Sequence, residues 1–122
     1  MSKKIFDFCI GNPPYQIQQK STRDKPIYNN FMEASYKISD SSVLITPGRF
    51  LFNAGATPKD WNEKMLNDPH FKVLKYYPNA SDVFPNVVFS GGVVISYYNN
   101  HKKFDPIESF SIFSEVNSIL KK

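Results

Sequence analysis

Residues 5–15 read Ile-Phe-Asp-Phe-Cys-Ile-Gly-Asn-Pro-Pro-Tyr, and the rest of the chain is organised around this stretch. Its apolar part, Ile5–Ile10, is short, aromatic and followed by a glycine, which predicts a buried β-strand. The two prolines lack a backbone N–H and fix φ, so they cannot continue a strand. We therefore expect a stiff turn at the carboxyl end of a strand, which is where open α/β sheets bind their ligands.

The turn carries groups that suit a planar base with an exocyclic amine. The side-chain amide oxygen of Asn12 and the carbonyl oxygen of Pro13 are two acceptors for the two hydrogens of such an amine. The ring of Tyr15 can stack on the base, because flipped bases are held between aromatic or apolar side chains. Two acceptors would also favour electron density on the nitrogen, as a methyl-accepting nucleophile needs. The alternative is a proline-rich turn that ends a strand and carries a surface tyrosine.

Length and composition indicate one small domain. The chain has 122 residues, of which 41% are hydrophobic, so it can fill a single core. One cysteine, Cys9, excludes an internal disulfide, and with two histidines it leaves no zinc-type cluster, so we expect no metal and a core position for Cys9. No apolar run reaches the roughly 18 residues of a membrane span. Without a signal peptide, we expect a cytoplasmic protein with no membrane partner. The net charge of +4 weakly favours a polyanion partner.

Apolar periodicity after the turn alternates between helical and strand patterns, which predicts an α/β fold. The expected elements are a helix over Pro26–Ser39, a strand over Val43–Thr46, a helix capped by Thr57 and stopped by Asp68, strands over His70–Tyr77 and Val93–Tyr98, and a helix from Pro106 or Ser109 to about Leu120. The side chains expected to face the core are Ile27, Phe31, Ala34 and Ile38 in the first helix, Trp61, Met65 and Leu66 in the second, Phe110, Phe113, Val116 and Leu120 in the last, and Phe50 and Leu51 between strands and helices.

Three segments together resemble one family. Phe6–Gln16 resembles the catalytic motif of the adenine-N6 DNA methyltransferases, most of all the branch found in restriction–modification systems. Ile45–Leu51 is similar to that family's fifth-strand segment, and Asp82–Val87 with Ser90–Val93 is similar to its last β-hairpin region. The resemblance implies the C-terminal half of a Rossmann-like class I methyltransferase sheet. That half would have three parallel strands, flanking helices and one antiparallel strand inserted between the second and third strands.

The resemblance also implies an activity and a set of site residues. The family transfers a methyl group from S-adenosylmethionine to the amine of a flipped adenine. On this sequence the catalytic positions are Asn12, Pro13 and Tyr15. The base would be bound by Tyr15 and Pro14 on one side and by Phe84, from the Val-Phe-Pro segment, on the other. The alternative for Phe84 is an ordinary core aromatic.

The glycine-rich loop that binds the cofactor in this family has no counterpart here. The five glycines contain no Gly-x-Gly pattern, and only 11 residues precede the Asn-Pro-Pro-Tyr motif. We therefore expect residues 1–122 to be one half-domain that lacks the cofactor-binding N-terminal half, binds no S-adenosylmethionine and is inactive alone. Its expected partners are DNA in the complete enzyme, and either the missing half in trans or a second copy paired through the exposed first strand. The alternatives are a methyltransferase acting on RNA or on a protein glutamine, or a non-catalytic interaction half-domain.

Overall fold

The structure is a computed structural model that describes residues 4–14, 16–17, 25–85 and 91–110. Its elements in chain order are β1 (Phe6–Gly11), β2 (Gln16–Ile17), β3 (Lys25–Pro26), α1 (Tyr28–Ile38), β4 (Ser39–Pro47), a 3-10 helix (Arg49–Phe52), α2 (Lys59–Asn67), β5 (Phe71–Tyr77), a second 3-10 helix (Ala80–Asp82) and β6 (Val93–Asn99). Neither described helix is long and apolar enough to cross a membrane.

Four strands form one mixed sheet in the order β1-β4-β6-β5, while β2 and β3 pair separately. β1 is parallel to β4, and β6 is antiparallel to both of its neighbours. β1, β4 and β5 therefore point the same way. This confirms the prediction of three parallel strands with one antiparallel strand, β6, inserted between the second and third of them. The residues that follow Gly11, Pro47 and Tyr77 consequently lie at one edge of the sheet, which we call the C-terminal edge.

One face of this sheet is covered by the helices and holds the core. Along β4, Ser42, Leu44 and Thr46 are buried, whereas the residues between them are only half-buried. Side chains alternate between the faces of a strand, so this pattern marks one covered and one less covered face. The core cluster comprises Tyr28, Met32 and Tyr36 of α1, Trp61, Met65 and Leu66 of α2, and Leu44, Phe50, Leu51, Phe71, Val94 and Ile107. The predicted core positions of Phe50, Leu51 and the α2 side chains are confirmed.

The predicted inner face of α1 is wrong. Phe31 is 47% exposed and Ile38 is 37% exposed, and Ala34 is also exposed. The helix instead buries Tyr28, Met32 and Tyr36. Both sets recur at helical spacing on neighbouring stripes, so periodicity alone cannot choose between them. The ring of Tyr36 stacks on that of Tyr98 in β6, with 3.8 Å between centroids, and this contact fixes the orientation of the helix.

β1 forms where the sequence predicts a strand, but it is not buried. Phe6, Phe8 and Ile10 are 54%, 51% and 75% exposed, and Cys9 is half-buried rather than a core residue. β1 is an edge strand, since no strand of the described sheet pairs with its outer side. The side chains of Phe8 and Ile10 also project from the less covered face of the sheet, because they pair there with the half-buried Ser41 and Val43.

Thr57 does not cap α2. The helix begins at Lys59 with Pro58 in the cap position and no side-chain capping bond. The buried hydroxyl of Thr57 instead donates to the Asn62 side-chain oxygen at 2.7 Å, and the Asn62 amide donates to the side-chain oxygen of Asn53 at 3.1 Å. Thr57 therefore stabilises the loop before the helix through side-chain bonds, a use that the capping pattern does not distinguish.

The last predicted helix is only partly covered by the described residues. Residues 106–110 are irregular and not helical. The inward position of Phe110 is confirmed, because its ring packs edge-on against Phe52 and Tyr76 at centroid distances of 5.6 and 5.3 Å. The remainder of this prediction, including Phe113, Val116 and Leu120, lies outside the described residues.

The stacked tyrosine pair predicts a loss of stability at alkaline pH. Burial, the largest cause, raises the pKa of both Tyr36 and Tyr98 above the ordinary 10.0. The contribution of the two neutral hydroxyls to the free energy of unfolding is therefore full below about pH 10. It is lost as the pH rises through their pKa values in the folded state. We expect urea unfolding to show a falling free energy of unfolding above pH 10, with a shallower fall in Tyr98→Phe. Equal pH dependence in both proteins would contradict this assignment.

Candidate functional site

The Asn12-Pro13-Pro14 turn lies at the C-terminal edge, directly after β1. Gly11, the last residue of β1, is in register with Leu44 of β4. The chain leaves the sheet at this point because the two prolines provide no N–H for further pairing. Asn12 and Pro14 are exposed and Pro13 is half-buried, so the turn presents its polar groups outward.

This turn forms one wall of an open pocket of about 280 Å³. The remaining walls come from β1, β4 and the outer stripe of α1; the lining residues are Cys9, Gly11, Asn12, Pro13, Pro14, Phe31, Ser35 and Leu44. Its volume lies just below the roughly 300–1,000 Å³ typical of ligand pockets. A single planar ring system therefore suits this space better than an extended cofactor does.

Asn12 supplies the polar recognition group of the pocket. No charged side chain lines it. The Ser35 hydroxyl donates its proton to the backbone oxygen of Met32 at 2.8 Å, which leaves it an acceptor. The Asn12 amide makes no hydrogen bond to any other described residue, so its oxygen is available to a bound amine. A polar acceptor in an otherwise apolar pocket is the arrangement that orients a planar heterocycle.

The other two predicted contacts are placed differently. Tyr15 lies outside the described residues. Phe84 follows the 3-10 helix after β5; it is half-buried, and its backbone N–H donates to the carbonyl oxygen of Ala80 at 2.8 Å. β1 and β5 are three strand spacings apart, about 14 Å at roughly 4.8 Å per spacing. Phe84 thus belongs to a loop that leaves β5 at the C-terminal edge, and it does not line the pocket at Asn12.

The structure adds five lining residues that the sequence did not assign to the site, of which Cys9 and Gly11 belong to β1. Phe31, Ser35 and Leu44 line the pocket, although Phe31 was expected in the core. Phe31 lies on the second apolar stripe of α1, which is the signal that could have identified it. An aromatic residue on a helix face that the core does not use is a candidate wall for a neighbouring cavity.

The pocket residues do not make an S-adenosylmethionine site by themselves. A ribose partner would be an acidic side chain, and none lines the pocket. The backbone near the pocket includes Gly11 but no glycine-rich loop. In the part of the chain that the structure describes, no three His, Cys, Asp or Glu side chains are grouped to hold a metal ion.

Comparison with known proteins shows to which family the chain belongs. The family model of the Eco57I restriction-modification methylase matches residues 1–84, which include the Asn12 turn and Phe84. A Mycoplasma pneumoniae protein described as an uncharacterized adenine-specific methylase is 25% identical over 101 residues, covering 79% of this chain and 24% of its own length. The chain thus spans about a quarter of this curated relative, and no solved structure matches it. With more than half of its length matched by the family model, the chain belongs to the Eco57I restriction-modification methylase family.

Proposed function

We propose that this chain is the adenine-binding half of a DNA adenine-N6 methyltransferase. The observation that carries the proposal is the Asn12-Pro13-Pro14 turn at the end of β1, which opens onto an apolar pocket with an uncommitted amide. Membership of a methylase family and a relative named as adenine-specific support it. The family also implies S-adenosylmethionine as the methyl source, and that cofactor would be held by a further segment.

Each residue of the turn has a defined task in this proposal. The side-chain oxygen of Asn12 and the carbonyl oxygen of Pro13 accept the two hydrogens of the adenine N6 amine. These bonds fix the amine in space and keep electron density on its nitrogen, where the new bond to carbon must form. Tyr15 stacks on one face of the flipped base, as aromatic side chains do in base-flipping enzymes. Phe84 reaches the other face when its loop closes over the base.

A non-catalytic interaction module is the second candidate, because the exposed β1 could also pair with a partner that takes no part in methyl transfer. Ile5, Phe6, Phe8 and Ile10 are each more than half exposed on a strand with an open edge. Such a surface requires a partner. We propose that the partner is the cofactor-binding half of the enzyme, which adds a strand beside β1 and covers its apolar face. RNA and protein glutamine are alternative substrates, and the aromatic Phe84 favours a base over an amide.

Calorimetry with S-adenosylmethionine tests the division into halves. The isolated chain is expected to give no saturable heat on titration, because its pocket has no carboxylate for the ribose and no glycine-rich loop. Addition of the cofactor-binding half should restore binding. A specific isotherm near micromolar affinity from the chain alone would overturn the division.

Loss of either aromatic side chain should weaken capture of the flipped base. We expect Tyr15→Ala and Phe84→Ala each to cost about 1–3 kcal/mol in binding of adenine-containing DNA to the reconstituted enzyme. The matched control is Phe104→Ala. Phe104 is a half-buried aromatic whose N–H bonds the carbonyl oxygen of Pro69, before the start of β5 and away from the C-terminal edge. Equal losses in all three variants, measured by fluorescence anisotropy, would show that the effect is structural.

A further inference from the structure

Arg49 lies at the C-terminal edge, two residues after β4, in a slot between two glycines. A Cβ at Gly91 would be 2.3 Å from the Arg49 Cγ and 2.9 Å from its Cα. A Cβ at Gly55 would be 3.2 Å from the Arg49 Cβ and 3.4 Å from its Nε. Both glycines have a positive φ, +85° and +83°, a region that other residues rarely adopt. The stem of Arg49 therefore occupies a space that these two glycines leave open.

The slot is tied to the sheet. The Tyr76 hydroxyl of β5 donates to the carbonyl oxygen of Gly91 at 2.8 Å. The Gly48 N–H, at the end of β4, donates to the carbonyl oxygen of Gly92 at 3.0 Å. Two strands thus hold the turn that confines Arg49, so its side chain is positioned before any ligand binds.

The guanidinium of Arg49 has no partner in the described part of the chain. Its Nε is buried and makes no hydrogen bond. The ion pairs among described residues are Lys64–Glu33 and His101–Asp40, and neither involves Arg49. Its positive charge is close enough to Tyr28 to oppose, in part, the rise that burial causes in the pKa of that hydroxyl. Arg49 itself is half-buried, so a positioned cation with a buried, unpaired donor has hydrogen-bonding capacity left for an anion.

We propose that Arg49 binds a backbone phosphate of the DNA strand that carries the target adenine. This inference rests on the proposed function. A guanidinium matches phosphate oxygens with two parallel hydrogen bonds, and a buried stem holds that fork in one orientation. β1 and β4 are neighbours about 4.8 Å apart. Arg49 and Asn12 therefore extend from adjacent strand ends, so one residue can hold the backbone while the other holds the base.

Oligonucleotide binding by the full chain tests the proposal. Fluorescein-labelled single strands, one with a central adenine and one without adenine, are titrated at several salt concentrations. Arg49→Gln should weaken binding of both strands, on the order of tenfold, and lower the slope of log affinity against log salt by about 0.7. Arg23→Gln is the matched control, since Arg23 is the other arginine of the chain, and it should not reproduce the loss seen in Arg49→Gln. Strands with neutral methylphosphonate linkages should bind wild type and Arg49→Gln equally.

Each outcome bears on the proposal. Unchanged affinity and salt slope in Arg49→Gln, or no binding by the wild-type chain at low salt, would contradict it. If Arg49→Gln does not fold, Arg49→Lys is measured instead. A salt slope equal to that of the wild type with a reduced affinity would support a two-bond phosphate contact, and full affinity would oppose it. Asn12→Ala separates this inference from the proposed function, because it should remove any preference for the adenine strand and leave the salt slope intact. If Arg49→Gln lowers the salt slope but the wild-type chain shows no preference for the adenine strand, the phosphate contact is supported and the adenine site is contradicted.

Discussion

Replacing Asn12 by alanine is expected to lower the rate of methyl transfer about 10²–10³-fold in the chain combined with its cofactor-binding half. In the proposed site Asn12 supplies one of two acceptors for the reacting amine, and losing a preorganised contact at a reacting centre costs about 3–4 kcal/mol of barrier. Single-turnover formation of N6-methyladenine gives the rate of the chemical step directly. The loss should appear there rather than in DNA affinity alone.

The control for this prediction is another exposed asparagine. Asn67 lies at the end of α2, where its amide donates to the backbone oxygen of Glu63, and Asn67→Ala should retain full activity. Asn12 is exposed and bonds no described side chain. The free energy of unfolding of Asn12→Ala should therefore be within about 0.5 kcal/mol of the wild-type value. Wild-type turnover in Asn12→Ala would refute the role given to the turn.

The isolated chain is expected to form a dimer or a larger assembly through β1. No strand among the described residues pairs with the outer side of β1, and its apolar side chains are more than half exposed. β5 is the other edge strand, but Lys72 and Lys75 and a shift of register between Val73 and Lys75 make it a poor template. The two edges therefore differ, and β1 is the one that we expect to pair, either edge to edge or through its bare face.

Light scattering over a range of concentrations measures this association. Phe8→Lys places a charge in the exposed apolar row and should shift the population towards the 14.0 kDa monomer. Leu74→Lys is the matched control, because Leu74 is 50% exposed on β5 at the other edge of the sheet and should not affect assembly. A clean monomer of the wild-type chain at high concentration would rule the association out.

The strands and the turn of this fold could be predicted because their signals are local. The apolar run before Asn12 and the prolines after it place the end of β1 within a residue of its position in the structure. Gly91 and Gly92 similarly mark the start of β6. The order of the strands could not be predicted from local signals. The insertion of β6 between β4 and β5 was predicted from the resemblance to a family.

The surface contacts could not be predicted, because they depend on what covers each element. α1 has two apolar stripes, and contacts with residues distant in sequence, such as Tyr36 on Tyr98 and Tyr28 on Trp61, accompany the choice of the stripe that faces the core. The residues of β1 match a buried strand, yet no strand of the described sheet pairs with its outer side, and the sequence of β1 alone does not reveal this. The role of Arg49 was not predicted, because a single arginine after a strand carries no local signal. Its slot is formed by Gly55 and Gly91, which lie later in the chain.

Nucleoside analysis by mass spectrometry is the most direct test of the central claim that this chain holds an adenine for methylation. DNA is incubated with labelled S-adenosylmethionine, this chain and its cofactor-binding half, and is then digested to nucleosides. We expect labelled N6-methyl-2′-deoxyadenosine that requires both proteins and disappears with Asn12→Ala. Label on deoxycytidine with none on deoxyadenosine, or adenine methylation that persists without this chain, would contradict it.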